Sequence, residues 1–538
     1  MDHGPATQES AESPTAPVFP SLTDAAHRYG RTVKPRVSVS WWLLAILAVQ
    51  TVLSLRLVRA DTAFEDEAAY LWAGHLEWAH LLHGTPLPQF PAYFSGAPVL
   101  YPPIGALADS IGGLTGARIL SLVFMLGATV ALWATTGRLF GRRAGLFAAA
   151  LFAVLGPTLH LGAFATYDAM SIFLMALAAW FVVHAGERKD ATGWMIAAGV
   201  ALALADATAY TYALYDVIVL LLALVTALPQ PGGKFAASRP LTILAVAAAL
   251  LTPAVLIGGS RYLHGISQTT VFRTAGTGSP LTVLSQSWSW TGVIVVVAVS
   301  GAVFSWVTGP GRPQAWLLTL VAGAALLAPA EQASLHTTAS LNKHVDLGVW
   351  FAAIAAGYAV DRFIEAAPVG KLRAVTGGAC VIALSFPIAL GAGQSRALST
   401  AWPNSTAFIA ILGPLVAHTS GHLLVEDPSI AEYYLPAGSQ WERWSGTRNI
   451  VLASGVPTGG PSDAAGVVGD GNAGTYALYI QASYFSLVAL NFSDTVPLDK
   501  TISAALHKNP RYQLIQVVPY GAGPAGPSPG TYVIWRRR

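Results

Sequence analysis

Three consecutive carboxylates, Glu65-Asp66-Glu67, lie in the stretch FEDEAAYLWAGH, from Phe64 to His75, just beyond the first long apolar run of the chain. Charge is costly beside a bilayer, because desolvation disfavours the ionised form, so an acidic run here points to acid/base chemistry at a membrane surface. Asp66 has Glu65, Glu67 and Asp61 as neighbours. Like charges and a half-dry setting raise a carboxyl pKa, which suits a general base near neutral pH. In a helix running from residue 65, Tyr70 stands one turn along on the Asp66 face. The same residues also suit a solvated helix start, where acidic side chains favour the positive end of the dipole.

A second acidic position is Asp168 in ATYDAMSIF, at the head of a later apolar run, where helix capping by Thr166 or Asp168 is the competing role. Cations form the third group: Arg261, His264 and Arg273 between two later runs, and Lys343 with His344 in SLNKHVDLG. A phosphate needs positive donors, and these are candidates; interfacial snorkelling is the plainer role, best suited to Arg261. In YPPI the prolines Pro102 and Pro103, after Tyr101, are expected to break any helix and shape a loop.

The elements that must position these groups are membrane helices. The 538 residues are 54% hydrophobic and only 11% charged, and mean hydropathy is +0.52. That composition excludes a soluble enzyme and indicates an α-helical polytopic membrane protein. The net charge of +3 carries little information. The single cysteine, Cys380, lies in an apolar run and excludes an intrachain disulfide or a Cys-based metal site. Apolar runs at 41–57, 118–136, 144–163, 166–185, 194–208, 211–228, 241–259, 289–307, 315–333, 345–360 and 374–393 predict eleven spans. Basic connectors (GRLFGRR, GERK, GGKFAASR, GPGR and 361–373) recur after every second run, so each falls on the cytoplasmic side. Residues 194–228 are short for two helices of about 20 residues and are expected to turn tightly near Asp206–Tyr210.

Residues 1–40 are polar, rich in Pro, Ser, Ala and Thr, and read as a disordered cytoplasmic tail. Residues 41–393 form the membrane domain, with an outer loop at 59–117 that includes an interfacial helix near 66–83. From residue 394 a small extracytoplasmic α/β domain is expected, with strands at 485–492, 512–519 and 531–535, a helix at 498–508 and a loop at 455–474. Scattered basic residues, with no contiguous stripe, give no sign of nucleic-acid binding.

The stretches FEDEAAYLWAGH, YPPIGALAD, TYDAMSIFLMALAAW and SLNKHVDLGVWFAAIAAGY together resemble the C-type glycosyltransferase superfamily. The nearest branch is glycosyltransferase family 39 and its bacterial relatives, the protein O-mannosyltransferases and the aminoarabinose transferase of lipid A. The resemblance implies a C-type glycosyltransferase fold and transfer of a sugar from a polyprenyl-phosphate donor, on the outer face of a plasma membrane, to a hydroxyl of a protein, glycolipid or polysaccharide. It makes Asp66 the catalytic carboxylate, with Glu67 beside it, and Asp168 the second acidic position. Lys343 and Arg261 look like the phosphate-binding cations, with His344 beside Lys343 and with Tyr70 and Tyr101 near the substrates. No cofactor is certain; a divalent metal on Asp66, Glu67 and His75 is the one option the family suggests. A lipid phosphate leaves readily, so the enzyme needs a base for the acceptor and cations for the departing phosphate, and one displacement inverts the anomeric centre. A transporter or flippase of lipid-linked saccharides is the alternative; it predicts pseudo-symmetric halves with paired broken helices.

Overall fold

The computed structural model describes residues 41–88, 90, 99–186, 188, 191–227, 236–270, 275–308, 311–447, 450–451, 467–468, 473–493, 495–520 and 530–538. The expected tail 1–40, Arg273, parts of the basic connectors and most of 455–474 lie outside the described residues, as do the side chains of Arg261 and His264.

Among the described residues, sixteen α-helices precede the sheet: α1 Trp41–Leu55, α2 Glu65–His83, α3 Tyr101–Phe140, α4 Arg142–Ala153, α5 Gly156–Leu161, α6 Tyr167–Ala185, α7 Thr192–Thr208, α8 Asp216–Ala227, α9 Ser238–Thr269, α10 Pro280–Thr308, α11 Arg312–Gly323, α12 Leu327–Ser334, α13 Leu341–Ala366, α14 Lys371–Ala383, α15 Ser385–Leu398 and α16 Thr406–Ala417. Long runs of Ala, Leu and Val favour helix, the form that satisfies its own backbone groups in lipid. By length and composition, eight helices or helix pairs among the described residues can cross a membrane. The remaining three of the eleven expected spans fall on the shorter α1 and α7 and on 142–161. There the chain leaves the helix at Val154 and Leu155, and Pro157 restarts it as α5. The expected turn after Asp206 is present: α7 ends at Thr208, and a 3₁₀ segment, Tyr210–Tyr215, leads into α8.

The YPPI expectation is corrected. Pro102 and Pro103 occupy the first turn of α3 and start the helix; proline is tolerated there because the first N–H groups have no intrahelical partner. Gly113, at φ 60°, then kinks α3 between its first turns and its long apolar part.

α13 is the central post. Small residues along it, including Gly348, Ala352 and Gly357, let α4, α10 and α11 pack close, and its side chains from Val345 to Tyr358 are all buried. The indole of Trp350 on α13 donates to the Ala128 carbonyl of α3 at 2.9 Å.

Beyond α16 follow β1 His422–Val425, α17 Ser429–Tyr434, β2 Trp444–Ser445, β3 Ile450–Val451, β4 Val467–Val468, α18 Ala473–Gln481, β5 Phe485–Leu490, α19 Val496–Lys508, β6 Tyr512–Tyr520 and β7 Gly530–Arg537. The main sheet has the order β2-β1-β5-β7-β6. β1 runs parallel to β2 and β5, and β7 is antiparallel to β5 and β6. One face packs on Phe408, Leu412 and Val416 of α16, the other on Tyr476 and Ile480 of α18 and Ile502 and Leu506 of α19. The three strands and the helix expected here are β5, β6, β7 and α19, displaced by no more than two residues at any end. α16 is an apolar helix that was not anticipated.

Candidate active site

The carboxylate run falls in the first turn of α2, and its members point to different partners. Glu67 is fully buried. Its Oε1 accepts from Arg118 Nε at 2.7 Å and from the Ala165 N–H at 2.7 Å. Its Oε2 accepts from Arg118 Nη2 at 2.6 Å and from the Phe64 N–H at 3.0 Å. Arg118, on α3, spends its other donors on the carbonyls of Val58, Asp61 and Thr62 at 2.9 to 3.1 Å. All five guanidinium N–H groups and four carboxylate acceptor positions are thereby used, as a buried ion pair requires. This pair pins the chain before α2, the start of α2 and the chain before α6 to one another.

Asp66 forms an ion pair with Lys343 of α13. The repulsion expected within the acidic run is therefore not what the fold presents: Glu67 faces a guanidinium and Asp66 an ammonium. The Lys343 side chain is 7% exposed and that of Asp66 30%. Lys343 Nζ also stands 5.4 Å above the Phe164 ring, a cation–π contact. Phe164 belongs to an aromatic group with Phe64 at 5.8 Å, Trp402 at 5.8 Å and His160 at 4.7 Å.

Asp168, in the first turn of α6, is fully buried. It accepts from Thr166 Oγ1 at 2.7 Å and from Tyr212 Oη at 3.0 Å. It lies within electrostatic reach of Lys343, as does Asp66. The Tyr70 ring packs against Tyr167 at 4.9 Å, and burial holds the Tyr70 hydroxyl well above its ordinary range. His344 Nδ1 donates to the Gln332 amide oxygen at 2.5 Å, and that amide nitrogen donates to the Thr337 and Ala339 carbonyls at 3.0 and 3.1 Å. Tyr101 is buried beneath α2 in a cluster with Tyr70, Trp72 and Met170.

Asp66, Asp168, Tyr70 and Lys343 thus meet at one end of the bundle, with His344 one residue on from Lys343. His75 turns elsewhere: its Nε2 pairs with Asp109 Oδ2 at 2.7 Å. Asp66, Glu67 and His75 are committed to three separate partners, and no cluster of three or more His, Cys, Asp or Glu suited to a metal occurs among the described residues. The metal set suggested for these three does not fit.

Sequence reading passed over Arg118, Phe164 and Tyr212. Arg118 carried a usable signal, since a lone arginine heading an apolar run must find a partner. Phe164 and Tyr212 carried none; aromatic residues in apolar runs are ordinary packing groups.

Residues 100–257 match the family model described as dolichyl-phosphate-mannose-protein mannosyltransferase. No match was found among curated proteins. Among solved structures, the chain is similar to apo ArnT from Cupriavidus metallidurans, at 14% identity and a TM-score of 0.53 over 92% of this chain and 97% of ArnT. The same enzyme bound to undecaprenyl phosphate gives 13% identity and a TM-score of 0.52 over 92% and 98%. The Archaeoglobus fulgidus oligosaccharyltransferase AglB, in complex with an inhibitory peptide and a dolichol-phosphate, gives 12% and 0.53 over 90% of this chain and 74% of AglB. With nearly the whole chain superimposing on these structures, and a mannosyltransferase family match over residues 100–257, the chain has the C-type glycosyltransferase fold that its acidic outer loop resembles.

Proposed function

We propose that this protein is a membrane glycosyltransferase that moves a sugar from a polyprenyl-phosphate donor to a hydroxyl acceptor, with inversion. The observation that carries the reading is the Asp66–Lys343 pair: among Asp66, Glu67 and Asp168, only Asp66 exposes its carboxylate, and it does so beside a nearly buried cation.

The chemistry follows from that pairing. The donor phosphate takes over Lys343 and so frees Asp66. An Asp66 carboxylate oxygen accepts the acceptor hydroxyl proton, the hydroxyl oxygen bonds to the anomeric carbon, and the bond from that carbon to the phosphate oxygen breaks with its electron pair going to the phosphate. Lys343, with His344 next to it, balances the charge that develops there. Asp168, held by Thr166 and Tyr212, supplies fixed negative charge that keeps Lys343 protonated and oriented. Glu67 acts through Arg118 as a positioning residue. Tyr70 lines the site, and Tyr101 supports α2 from below.

ArnT is seen bound to undecaprenyl phosphate and AglB in complex with a dolichol-phosphate, which supports a polyprenyl-phosphate donor here. The acceptor class spans protein, glycolipid and polysaccharide hydroxyls. By charge placement we assign the catalytic end to the outer face of a plasma membrane, the N-terminus to the cytoplasm and residues 394–538 to the outside. Residues 1–40 then form a cytoplasmic tail and 41–393 the catalytic membrane domain, with its outer loop at 59–117. Nothing in the site favours a flippase of lipid-linked saccharides.

The test is Asp66→Asn in proteoliposomes containing a polyprenyl-phosphate sugar. Loss of a general base lowers transfer by roughly 10²–10⁴-fold, while binding of the polyprenyl phosphate persists. Full transfer by the variant removes Asp66 from the mechanism.

A further inference from the structure

We propose that the end of the bundle away from Lys343 holds a structural site for one anionic phospholipid of that membrane leaflet. A cavity of about 680 Å³ lies between α1, α4, α13 and the α14–α15 pair. Trp42, Phe147, Ile364 and Val381 line it, together with two arginines, Arg143 and Arg373. The volume falls within the roughly 300–1,000 Å³ of small-molecule sites. None of the residues of α14 is buried, so the wall it forms is a gap between helices that a bilayer fills with hydrocarbon.

Charge selects the occupant. Arg143 and Arg373 line the cavity, and Arg362 stands with Arg143 at Asp361 and Glu365. Arg373 is engaged only through carbonyls: its Nε donates to Ala367 at 3.1 Å and its Nη2 to Glu365 at 3.0 Å. Its charge meets no carboxylate among the described residues, and it borders an apolar cavity. An anionic headgroup over an acyl chain matches both features, as in basic pockets between membrane helices. The site is separate from the catalytic end. From Lys343 to Asp361, α13 rises by about 27 Å at 1.5 Å per residue, most of the hydrocarbon thickness. A neutral prenyl tail reaching down from Lys343 gives no account of the unmatched cation at the far end, and a second copy of the chain would need an anion that α1 and α14 do not carry.

The test is native mass spectrometry of the full chain, titrated in parallel with dioleoyl phosphatidylglycerol, dioleoyl phosphatidylcholine and undecaprenyl phosphate. A side chain at Gly377 enters the cavity without a backbone clash, its nearest neighbour being the Ile364 Cγ2 methyl at 3.9 Å from a Cβ. Gly377→Phe therefore plugs the cavity, and Ala374→Trp does so independently. The wild type is expected to take one phosphatidylglycerol about tenfold more tightly than phosphatidylcholine, a 1.4 kcal/mol preference. Both plugs abolish that adduct, Arg373→Gln levels the two lipids, and all three variants keep undecaprenyl phosphate binding. Equal binding of the two phospholipids by the wild type overturns the proposal, as does an unchanged phosphatidylglycerol adduct in both plugged variants. Loss of undecaprenyl phosphate instead, or of a dimer, assigns the cavity to another occupant and equally overturns it. The catalytic reading stands or falls separately, on Asp66.

Discussion

At the scale of residues, three of the four neighbouring carboxylates, Asp61, Asp66 and Glu67, have three fates. Asp66 meets an ammonium at a half-open surface, Glu67 meets a guanidinium in the interior, and Asp61 is held by the Thr62 N–H at 2.7 Å and Asn404 Nδ2 at 2.8 Å. Their roles separate experimentally. Glu67→Gln leaves Arg118 without a counter-charge in a dry site, which costs about 3–5 kcal/mol; it should lower the unfolding temperature in detergent and cut transfer in proportion. Unchanged stability with abolished transfer would make Glu67 catalytic. Lys343→Met acts on the chemistry. It should weaken polyprenyl-phosphate binding and slow transfer, and when combined with Asp66→Asn it should add little further loss, because groups that act as a unit are non-additive. Additive losses in the double variant would uncouple the two.

At the scale of elements, α2 is the part that must not move, and it lies unusually close to α3. A Cβ at Gly74 would stand 1.9 Å from the Pro102 carbonyl oxygen, so any side chain there pushes α2 off α3. Gly74→Ala is expected to cost about 1–3 kcal/mol, as overpacking does, and to reduce kcat by shifting Asp66; wild-type kcat with normal stability would show that the register of α2 is not critical. The same helix carries a pH dependence. Burial pushes the Glu77 carboxyl up to about 7, above its unfolded range. Its folded-state pKa is raised, so its stabilising share is fully present below the unfolded value near 4.5 and is lost as pH rises through about 7. Glu77→Gln should therefore raise the unfolding temperature at pH 8 and leave it unchanged at pH 4, by thermal denaturation in one detergent.

At the scale of the whole molecule, the C-terminal α/β part holds α2 from above. The Trp72 indole donates to the Gly438 carbonyl at 2.9 Å, Tyr433 Oη to Asp109 Oδ1 at 2.6 Å, and the Ala63 N–H to Tyr434 Oη at 2.8 Å. Asp109 thus joins His75 of α2 to Tyr433 of α17. Tyr433→Phe takes one of these bonds from Asp109, a loss of about 1–3 kcal/mol for a buried acceptor. Transfer should fall several-fold through kcat, with membrane insertion unchanged; full activity in this variant would limit the C-terminal part to another task.

Local chemistry wrote much of this molecule into its sequence. Apolar runs of membrane length made α6 legible to within a residue and marked the start of α9 and the end of α10 to within three, because a helix in lipid must satisfy its own backbone; α9 runs ten residues past its expected end, α10 begins nine before its expected start, and α13 is longer than expected by four and six residues at its two ends. Alternating and β-branched runs did the same for β5, β6 and β7. Charge beside lipid singled out Asp66, Asp168 and Lys343, since it persists there only with a partner. The partners themselves are 34 to 277 positions apart in the chain, and nothing local encodes which ammonium meets which carboxylate. Only the packing of α2, α6 and α13 decided that Lys343 faces Asp66, that Arg118 takes Glu67 out of solvent, and that His75 leaves the acidic run for Asp109.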